Sequence, residues 1–157
     1  MVSSSHPKSD HGAIPPTRYG FLIMPGFSMI AFAAAIDALR LANRVSGETL
    51  YTWETLSVDG KPVMASNGIE VSPNRSSKQP ARYAALFVCG GIRIHQTWTP
   101  ALGECLHSLS KKGIALGSLC TGTYILARAG LLDGYRCTIH WERLAATREE
   151  FPKLHLT

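Results

Sequence analysis

Short apolar runs, each ended by glycine, proline or polar residues, alternate along the chain with stretches of helical spacing. The apolar runs predict β-strands over residues 19–24, 51–58, 84–89, 114–119 and 135–139, with another beginning at 154–156. The stretches of helical spacing or composition predict helices over residues 29–44, 100–112, 123–129 and 141–150. Between these elements, the sequence predicts a hairpin or a short strand pair at residues 63–71 and a polar loop at residues 73–80.

Strands that alternate with helices predict an α/β fold with a mostly parallel sheet covered on both faces, a three-layer sandwich of the flavodoxin-like type. Ligands of such folds bind beyond the carboxyl ends of the strands. Four predicted strand ends carry small or chemically active residues, namely residues 25–28, Gly90-Gly91, Cys120-Thr121 and His140. We expect these ends to meet in one crevice. We also expect the strands that end at Cys120 and at His140 to lie side by side in one sheet.

Cys120 lies at the junction between a predicted strand and a predicted helix. Ser118 and Gly122, two residues to either side, are small enough for the backbone to turn sharply and expose the sulfur at the start of the helix. Such a turn is typical of a nucleophile elbow, and His140 follows as a possible partner. The alternative is that Cys120 is a small core residue and His140 begins a helix, since buried unreactive cysteine is common.

Composition narrows the class of protein further. The chain has 157 residues, of which 45% are hydrophobic and 17% charged, so it fits one domain with a substantial core. Residues 1–17 are polar and contain proline, which predicts a disordered tail before a folded domain at 18–157. No apolar run reaches the length of a membrane span and no signal-peptide pattern is present, so we expect a cytoplasmic protein that does not bind membranes.

Neither the cysteines nor the positive charge predicts a site of its own. The four cysteines lie far apart and match neither a zinc pattern nor a small disulfide framework, so we expect no metal and no cofactor. The formal net charge is +5, but the basic residues are scattered. No helix-turn-helix or basic stripe is apparent, and we therefore expect no specific DNA binding by this chain.

Several separated segments together resemble the class I glutamine amidotransferase-like superfamily in its ThiJ/PfpI branch. The resemblance is closer still to the sensor domain of GlxA-type regulators of the AraC family, and it covers most of the chain from Arg18 onward. The segments that carry it are Gly20-Phe21-Leu22, Pro25-Gly26-Phe27-Ser28, residues 86–91, Cys120-Thr121-Gly122, Leu126-Ala127, residues 129–134 and residues 138–142.

The resemblance implies the sensor part of a transcription regulator. It implies a further strand and helix after Thr157 and then an AraC-type DNA-binding domain, so the chain is expected to be a C-terminally incomplete fragment or truncated product. The implied effector is a small nitrogenous metabolite of the betaine, carnitine or amino-acid type. We also expect a homodimer, with DNA bound only through the C-terminal domain.

The same resemblance names the positions at which this chain departs from the family's enzymes. It implies Gly91 and Thr121 as backbone donors to an oxyanion, and Cys120 and His140 as the candidate reactive pair. The acidic partner of the enzymes falls at Ala31, and the histidine that follows the nucleophile in the peptidases is replaced by Thr121. We therefore predict that the chain is not an enzyme, although a Cys-dependent hydrolase or deglycase and a thiol redox sensor remain alternatives.

His140-Trp141-Glu142 also matches the H-x-E end of a glutaminase triad. In glutaminases this pair lies much further along the chain, and on a helix its two members would point apart. The match is therefore not taken as a triad.

A pocket without its acidic partner suits binding rather than turnover. The predicted ligand pocket consists of Phe27, Gly90, Gly91, Cys120, Thr121, His140 and Trp141. The N–H groups of Gly90, Gly91 and Thr121 would face a ligand carboxylate. Phe27 or Trp141 would cover a cationic group by a cation–π contact, the alternative for both rings being packing in the core.

Overall fold

A five-stranded parallel sheet forms the centre of the computed structural model, which describes residues 15–157. Its strands are β1 (Thr17–Ile23), β2 (Tyr51–Ser57), β5 (Arg75–Ser76), β6 (Ala85–Cys89) and β7 (Ala115–Leu119). They lie in the order β5-β2-β1-β6-β7, so β1 is central and β7 is an edge strand. The register places Ile23 opposite Cys89, and Cys89 opposite Leu119, so three strands end at the same level.

Helices cover both faces of the sheet because the strand side chains alternate between two apolar clusters. Phe21 and Ile23 of β1 pack towards α1 (Met29–Ser46), where Phe32 is buried. Leu22 of β1 faces the other cluster, which contains leucines of α2 (Pro100–Lys111) and Ile125 of α3 (Thr123–Arg128). The predicted three-layer, mostly parallel, flavodoxin-like α/β fold is therefore confirmed.

The remaining elements are short. A hairpin is formed by β3 (Val63–Met64) and β4 (Glu70–Val71), as the Asn67-Gly68 pattern predicts. Its turn contains Gly68 at φ 82°, a left-handed conformation that favours glycine. After α3 come β8 (Arg136–Cys137), a 3₁₀ turn (Trp141–Arg143), α4 (Leu144–Glu150) and β9 (His155–Leu156).

Two predictions about strands are wrong. Residues 73–80, predicted to be a loop, contain β5, which pairs with the end of β2 and extends the sheet. The strand predicted at residues 135–139 is reduced to β8, which pairs in parallel with β9 outside the main sheet. Both are two-residue strands whose pairing depends on tertiary contacts, and such contacts leave little trace in hydrophobic alternation.

The ends of the predicted segments can also be compared with the structure. Residues 1–14 of the predicted tail lie outside the described residues, and Thr17 is already the first residue of β1. No helix in the part of the chain that the structure describes combines the length and apolar character needed to cross a membrane.

Candidate functional site

Cys120 occupies a sharp turn directly between β7 and α3. Its φ is 57°, one of only two positive values among non-glycine residues in the described range 15–157. Such strain in a residue other than glycine persists only where the surrounding structure enforces it, and it is concentrated at functional sites. The nucleophile-elbow geometry predicted from Ser118 and Gly122 is therefore present.

Close approach of the backbones of β6 and the elbow explains the glycine at position 122. A Cβ atom built on Gly122 would lie 2.0 Å from the carbonyl oxygen of Val88. A Cβ on Gly90 would lie 2.3 Å from the nitrogen of Gly122. Neither contact is tolerable, and both opposing atoms belong to the backbone. These glycines let two neighbouring strand ends touch, which brings the elbow against the loop that follows β6.

Gly91 is held between that elbow and the loop after β1. The hydroxyl of Thr121 donates to the carbonyl of Gly91 at 2.7 Å, and Ile92 donates its N–H to the carbonyl of Gly26 at 3.0 Å. Within residues 15–157, no carbonyl or side chain accepts from the N–H groups of Gly91 or Thr121. Two backbone donors without partners therefore remain at the strand ends. They are the same two residues that the family resemblance implies as donors to an oxyanion.

His140 reaches the elbow by a different route from the one predicted. Its backbone N–H donates to the carbonyl of Cys120 at 3.2 Å, although the preceding β8 does not join the main sheet. The side-by-side arrangement of strands expected for Cys120 and His140 is therefore wrong, while their proximity is present. The loop over residues 138–140 crosses the elbow directly, and the Thr123 hydroxyl holds it by donating to the carbonyl of Thr138 at 2.6 Å.

The side chains of His140 and Glu142 also lie nearer to each other than expected. His140 precedes the 3₁₀ turn with φ −52° and ψ 131°, so the two residues do not share one helix. As a result, Nδ1 of His140 lies 3.8 Å from Oε2 of Glu142. The expectation that these side chains point apart is wrong. The separation is nevertheless too long for a hydrogen bond, so Glu142 does not fix the orientation of the imidazole.

A cavity of about 370 Å³ opens where these segments meet. It is lined by Ser28, Ser66, Gly91, Ile92, Arg93, Ile94, His95, Cys120, Thr121, His140, Glu142 and Arg143. We call it the elbow cavity. A second cavity of about 680 Å³ shares Cys120 and His140 with it, but follows the outer edge of β7 instead of the strand ends. Since ligands of parallel α/β folds bind beyond the carboxyl ends of the strands, we take the elbow cavity as the candidate site.

The structure assigns different surroundings to the predicted pocket residues. Gly91, Cys120, Thr121 and His140 line the elbow cavity together. Phe27 does not line it: its side chain is 0% exposed and packs against Phe32 with ring centroids 5.3 Å apart. The core-packing alternative therefore describes Phe27, and its predicted ligand contact is corrected.

Gly90 and Trp141 also differ from the predicted pocket. The N–H of Gly90 already donates to the carbonyl of Leu119 at 3.1 Å, so Gly90 supports the floor of the site and has no donor left for a ligand. The ring of Trp141 is 75% exposed and does not line the elbow cavity. Neither the core-packing alternative nor a ligand contact is present for Trp141.

Sequence reasoning missed several polar residues of the elbow cavity. Ser28, the residue before α1, caps no N–H group with its side chain and lines the cavity instead. Arg93 and His95 follow β6 and its Gly90-Gly91 break, and Arg143 lies three residues after His140. Their position immediately after a strand end or after a site residue is the signal that would have found them.

The cysteines outside the elbow have other environments. Cys89, at the end of β6, is buried, and this burial raises the pKa of its thiol well above the usual range. Burial also raises the pKa of Cys137. Cys105 is partly buried, with its sulfur 3.4 Å from the carbonyl of Ser77. Of the four, only Cys120 combines a strained elbow backbone with a place in the lining of the elbow cavity.

The fold and the elbow define an α/β sandwich with a cysteine at the strand-to-helix turn. The chain belongs to the DJ-1/PfpI family, whose sequence profile matches residues 18–150. It is 42% identical over 142 residues to the HTH-type transcriptional regulator GbdR of Pseudomonas aeruginosa, and the match covers 90% of this chain and 39% of GbdR. It is 37% identical over 139 residues to the HTH-type transcriptional regulator GlxA of Rhizobium meliloti, covering 88% of this chain and 43% of GlxA.

A solved structure agrees with these sequence relatives. The fold is similar to that of an AraC family transcriptional regulator from Pseudomonas putida, with a TM-score of 0.81 and 35% identity over 90% of this chain and 76% of that chain. The resemblance to GlxA-type regulators of the AraC family that the sequence motifs indicated is thus confirmed. The chain spans 39% and 43% of the lengths of the two curated regulators.

Proposed function

We propose that this chain is the ligand-sensing domain of an AraC-family transcription regulator. The observation that carries the proposal is the elbow cavity, whose lining includes the unpartnered N–H groups of Gly91 and Thr121 as well as basic residues. Its volume of about 370 Å³ lies within the range of small-molecule sites, which is roughly 300–1,000 Å³. The similarity to two HTH-type transcriptional regulators supports the same conclusion.

The proposed effector is a small nitrogenous metabolite of the betaine, carnitine or amino-acid type. Isothermal titration of the 157-residue chain with glycine betaine, L-carnitine and L-arginine tests this directly. We expect one of these three metabolites to bind saturably with 1:1 stoichiometry. The other two, added at the same concentration, should not displace it. Binding of none of the three would contradict the proposed effector class.

The domain is proposed to bind and not to turn over its ligand. The position of the enzymes' acidic partner is Ala31, on the first turn of α1, and an alanine side chain cannot share a proton with Cys120. The alternative, a Cys-dependent hydrolase, is favoured by one observation, the approach of His140 to Glu142 at 3.8 Å. For hydrolysis, His140 and Glu142 would need to approach to hydrogen-bonding distance, about 2.6–3.2 Å, before the imidazole could be oriented as a base.

A redox role for Cys120 is the third alternative.

DNA binding is proposed to reside outside this chain. A gel shift with residues 1–157 is expected to show no sequence-selective binding that survives physiological salt, because salt screens nonspecific contacts to phosphates. Selective, salt-resistant binding would contradict this division of roles. A regulator of this kind acts where the DNA is, so the proposal includes a cytoplasmic location.

The homodimer is proposed to form through the outer face of α1. Ile30 and Val45 on this face are 81% and 86% exposed, and Leu41 is also exposed. Together with Ala34 they form one helical stripe, in which positions 30 and 45 and positions 34 and 41 are symmetric about the helix centre. Such a stripe can pack against a second copy of itself about a two-fold axis, as an isologous interface requires. The central Asp37 accepts from Arg40 at 2.7 Å, which balances the charge there.

A further inference from the structure

Arg143 has an unusual position in the wall of the elbow cavity. It ends the 3₁₀ turn that begins next to His140, and its side chain is partly buried. Its guanidinium carbon lies 6.0 Å from the centroid of the Tyr124 ring, a cation–π contact. The ring is fixed in turn by its hydroxyl, which donates to Glu150 at 2.9 Å. The guanidinium therefore rests on a rigid support.

The same guanidinium has no anionic partner in the described residues. Within residues 15–157, the Nε atom of Arg143 is buried without a hydrogen-bond partner, and no carboxylate forms an ion pair with this side chain. Glu150, which supports Tyr124, pairs instead with Arg128 at 3.2 Å. The Nε atom itself is too deeply buried to contact a ligand. The terminal N–H groups of the guanidinium, which have no ion-pair partner in residues 15–157, are the donors that a ligand in the cavity could reach. The planar array of these N–H groups matches the two oxygens of a carboxylate.

The charges around the elbow cavity favour an anion. Arg93, His95 and His140 line it together with Arg143, and Glu142 is its single carboxylate among the described lining residues. Glu142 is largely exposed, and its carboxylate faces Nδ1 of His140. The described lining includes no phenylalanine, tyrosine or tryptophan that could cover a cationic group. The basic residues that line this cavity therefore suit the anionic end of a ligand, and the lining has no aromatic ring for a cationic end.

We propose that Arg143 is the carboxylate-binding residue of the elbow cavity, with the free N–H groups of Gly91 and Thr121 as additional donors. The ligand class is then restricted to small metabolites that carry a free carboxylate, and analogues without it are rejected. This inference rests on the proposed sensing function, and it names the group by which the sensor recognises its effector.

The first test needs no knowledge of the natural ligand. Iodoacetate and iodoacetamide alkylate the same thiol but differ in a carboxylate, so the ratio of their rates at Cys120 reports local attraction for that group. Mass spectrometry of the labelled 157-residue chain gives both rates. In Arg143→Gln we expect this ratio to fall about fivefold, because the positive charge that concentrates the anion is lost. In Arg148→Gln, which removes an exposed guanidinium on the same helical segment, we expect no change.

An unchanged rate ratio in Arg143→Gln would overturn the inference. This holds whether both rates stay at the wild-type values or fall by the same factor, since an equal fall would mean that the variant altered thiol reactivity and not carboxylate attraction. Far-ultraviolet circular dichroism and the melting temperature of both variants establish that they are folded before the rates are compared.

The second test uses glycine betaine and choline, which share a trimethylammonium group and differ in carboxylate against hydroxymethyl. Calorimetry of the wild type should show glycine betaine binding at least about tenfold more tightly than choline, as expected for a charge-assisted bidentate contact. Arg143→Gln should remove this preference. Equal binding of both ligands by the wild type would overturn the role of Arg143 and leave the sensing function intact. A third outcome combines the two tests. If the ratio of iodoacetate to iodoacetamide rates falls in Arg143→Gln but the wild type binds no metabolite in calorimetry, the carboxylate site is supported and the proposed effector class is overturned.

Discussion

The backbone N–H of His140 donates to the carbonyl oxygen of Cys120 at 3.2 Å, which couples the elbow to the segment that follows β8. Through this contact the 3₁₀ turn carrying Glu142 and Arg143 is placed over the strand ends. The site therefore contains two layers. The first layer, the floor, consists of the ends of β6 and β7 and contributes Gly91 and Cys120. The second layer, the wall, is the 3₁₀ turn outside the sheet, and it contributes the ionisable side chains of Glu142 and Arg143.

Cys120 is expected to be the most reactive of the four thiols. Iodoacetamide should label it faster than Cys105 and Cys137, and Cys89 should be slowest because it is buried and burial raises the pKa of its thiol. Peptide mass spectrometry over a time course at pH 7.5 measures the four rates. In the denatured chain all four should react at similar rates. If Cys89 in the folded chain were modified as fast as Cys120, the elbow would not be the exposed site described.

Gly122→Ala is expected to destabilise the fold far more than Gly47→Ala. At Gly47 the φ of 73° makes alanine unfavourable by roughly 1–2 kcal/mol, but no atom lies within 4 Å of the added Cβ. At Gly122 the Cβ would lie 2.0 Å from the carbonyl oxygen of Val88, so β6 and the elbow must separate. Urea unfolding of both variants measures the difference. Equal midpoints would show that the elbow can relax without cost.

The sequence predicts most of this fold because its long elements follow simple rules. The apolar runs at residues 19–24 and 84–89 predict β1 and β6, which are central parallel strands, and the run at residues 114–119 predicts the edge strand β7. The helical spacing of α1 is also clear. The elbow could be predicted from Cys120 and its small neighbours alone. In contrast, β5 lies in a polar segment and is held to β2 by Arg75, which donates to Glu54 at 2.8 Å. The local sequence pattern around Arg75 does not predict this contact with Glu54, because the two residues lie on different strands.

The wall of the site was harder to predict than its floor. The floor follows from where strands end, which is a local property. Arg143 and Glu142 belong to a turn whose position depends on how residues 138–140 cross the elbow. The burial of Phe27 is a tertiary property as well, since it arises from the T-shaped contact with Phe32 and not from the Pro25-Gly26 break that precedes it.

Glu54 is expected to stabilise the domain in a pH-dependent manner. Its side chain is 14% exposed and accepts from Tyr83 at 2.5 Å, from Arg75 at 2.8 Å and from Arg18. Burial acts to raise its pKa, but these hydrogen bonds and the two positive charges outweigh burial, so the pKa lies below its ordinary value of 4.5. A carboxyl with a lowered folded pKa stabilises the fold at pH values above its unfolded pKa. This contribution is lost as the pH falls through the folded value.

Glu54→Gln should therefore lower the free energy of unfolding at pH 7 by roughly 1.5–3 kcal/mol, the range for hydrogen bonds to a charged group. The difference from the wild type should begin to shrink as the pH falls below about 4.5, and it should be lost as the pH falls through the lowered folded pKa, where the wild-type carboxyl also becomes neutral. Urea unfolding at several pH values measures both effects. Glu48→Gln, at an exposed position, serves as the control and should match the wild type throughout. A pH-independent difference would mean that Gln disturbs packing instead of charge.

The stripe on α1 gives a direct test of the homodimer. Val45→Glu places a charge on an 86% exposed position, so the monomer should keep its melting temperature while an interface at this face should be disrupted. Light scattering after size-exclusion chromatography is expected to show a dimer for the wild type and a monomer for Val45→Glu. Lys111→Glu, exposed at the end of α2, should remain dimeric. Dimeric Val45→Glu would place the interface on another surface.

Cys120→Ser tests whether the proposed ligand binding depends on chemistry at the thiol. The change is nearly isosteric, and the backbone contacts at Gly122 and His140 that fix the elbow do not involve the sulfur. If the elbow cavity recognises its ligand through backbone donors and basic side chains, the dissociation constant of the variant for glycine betaine or its analogues should stay within about threefold of the wild-type value. This is the spread expected when no hydrogen bond is removed.

The same variant tests catalysis. If Cys120 were a nucleophile, amide, ester or glycated substrates consumed by the wild type would be left intact by the variant. Nuclear magnetic resonance of substrate mixtures incubated with each protein measures this. We expect no consumption by either protein, because Ala31 offers no acidic partner to the thiol.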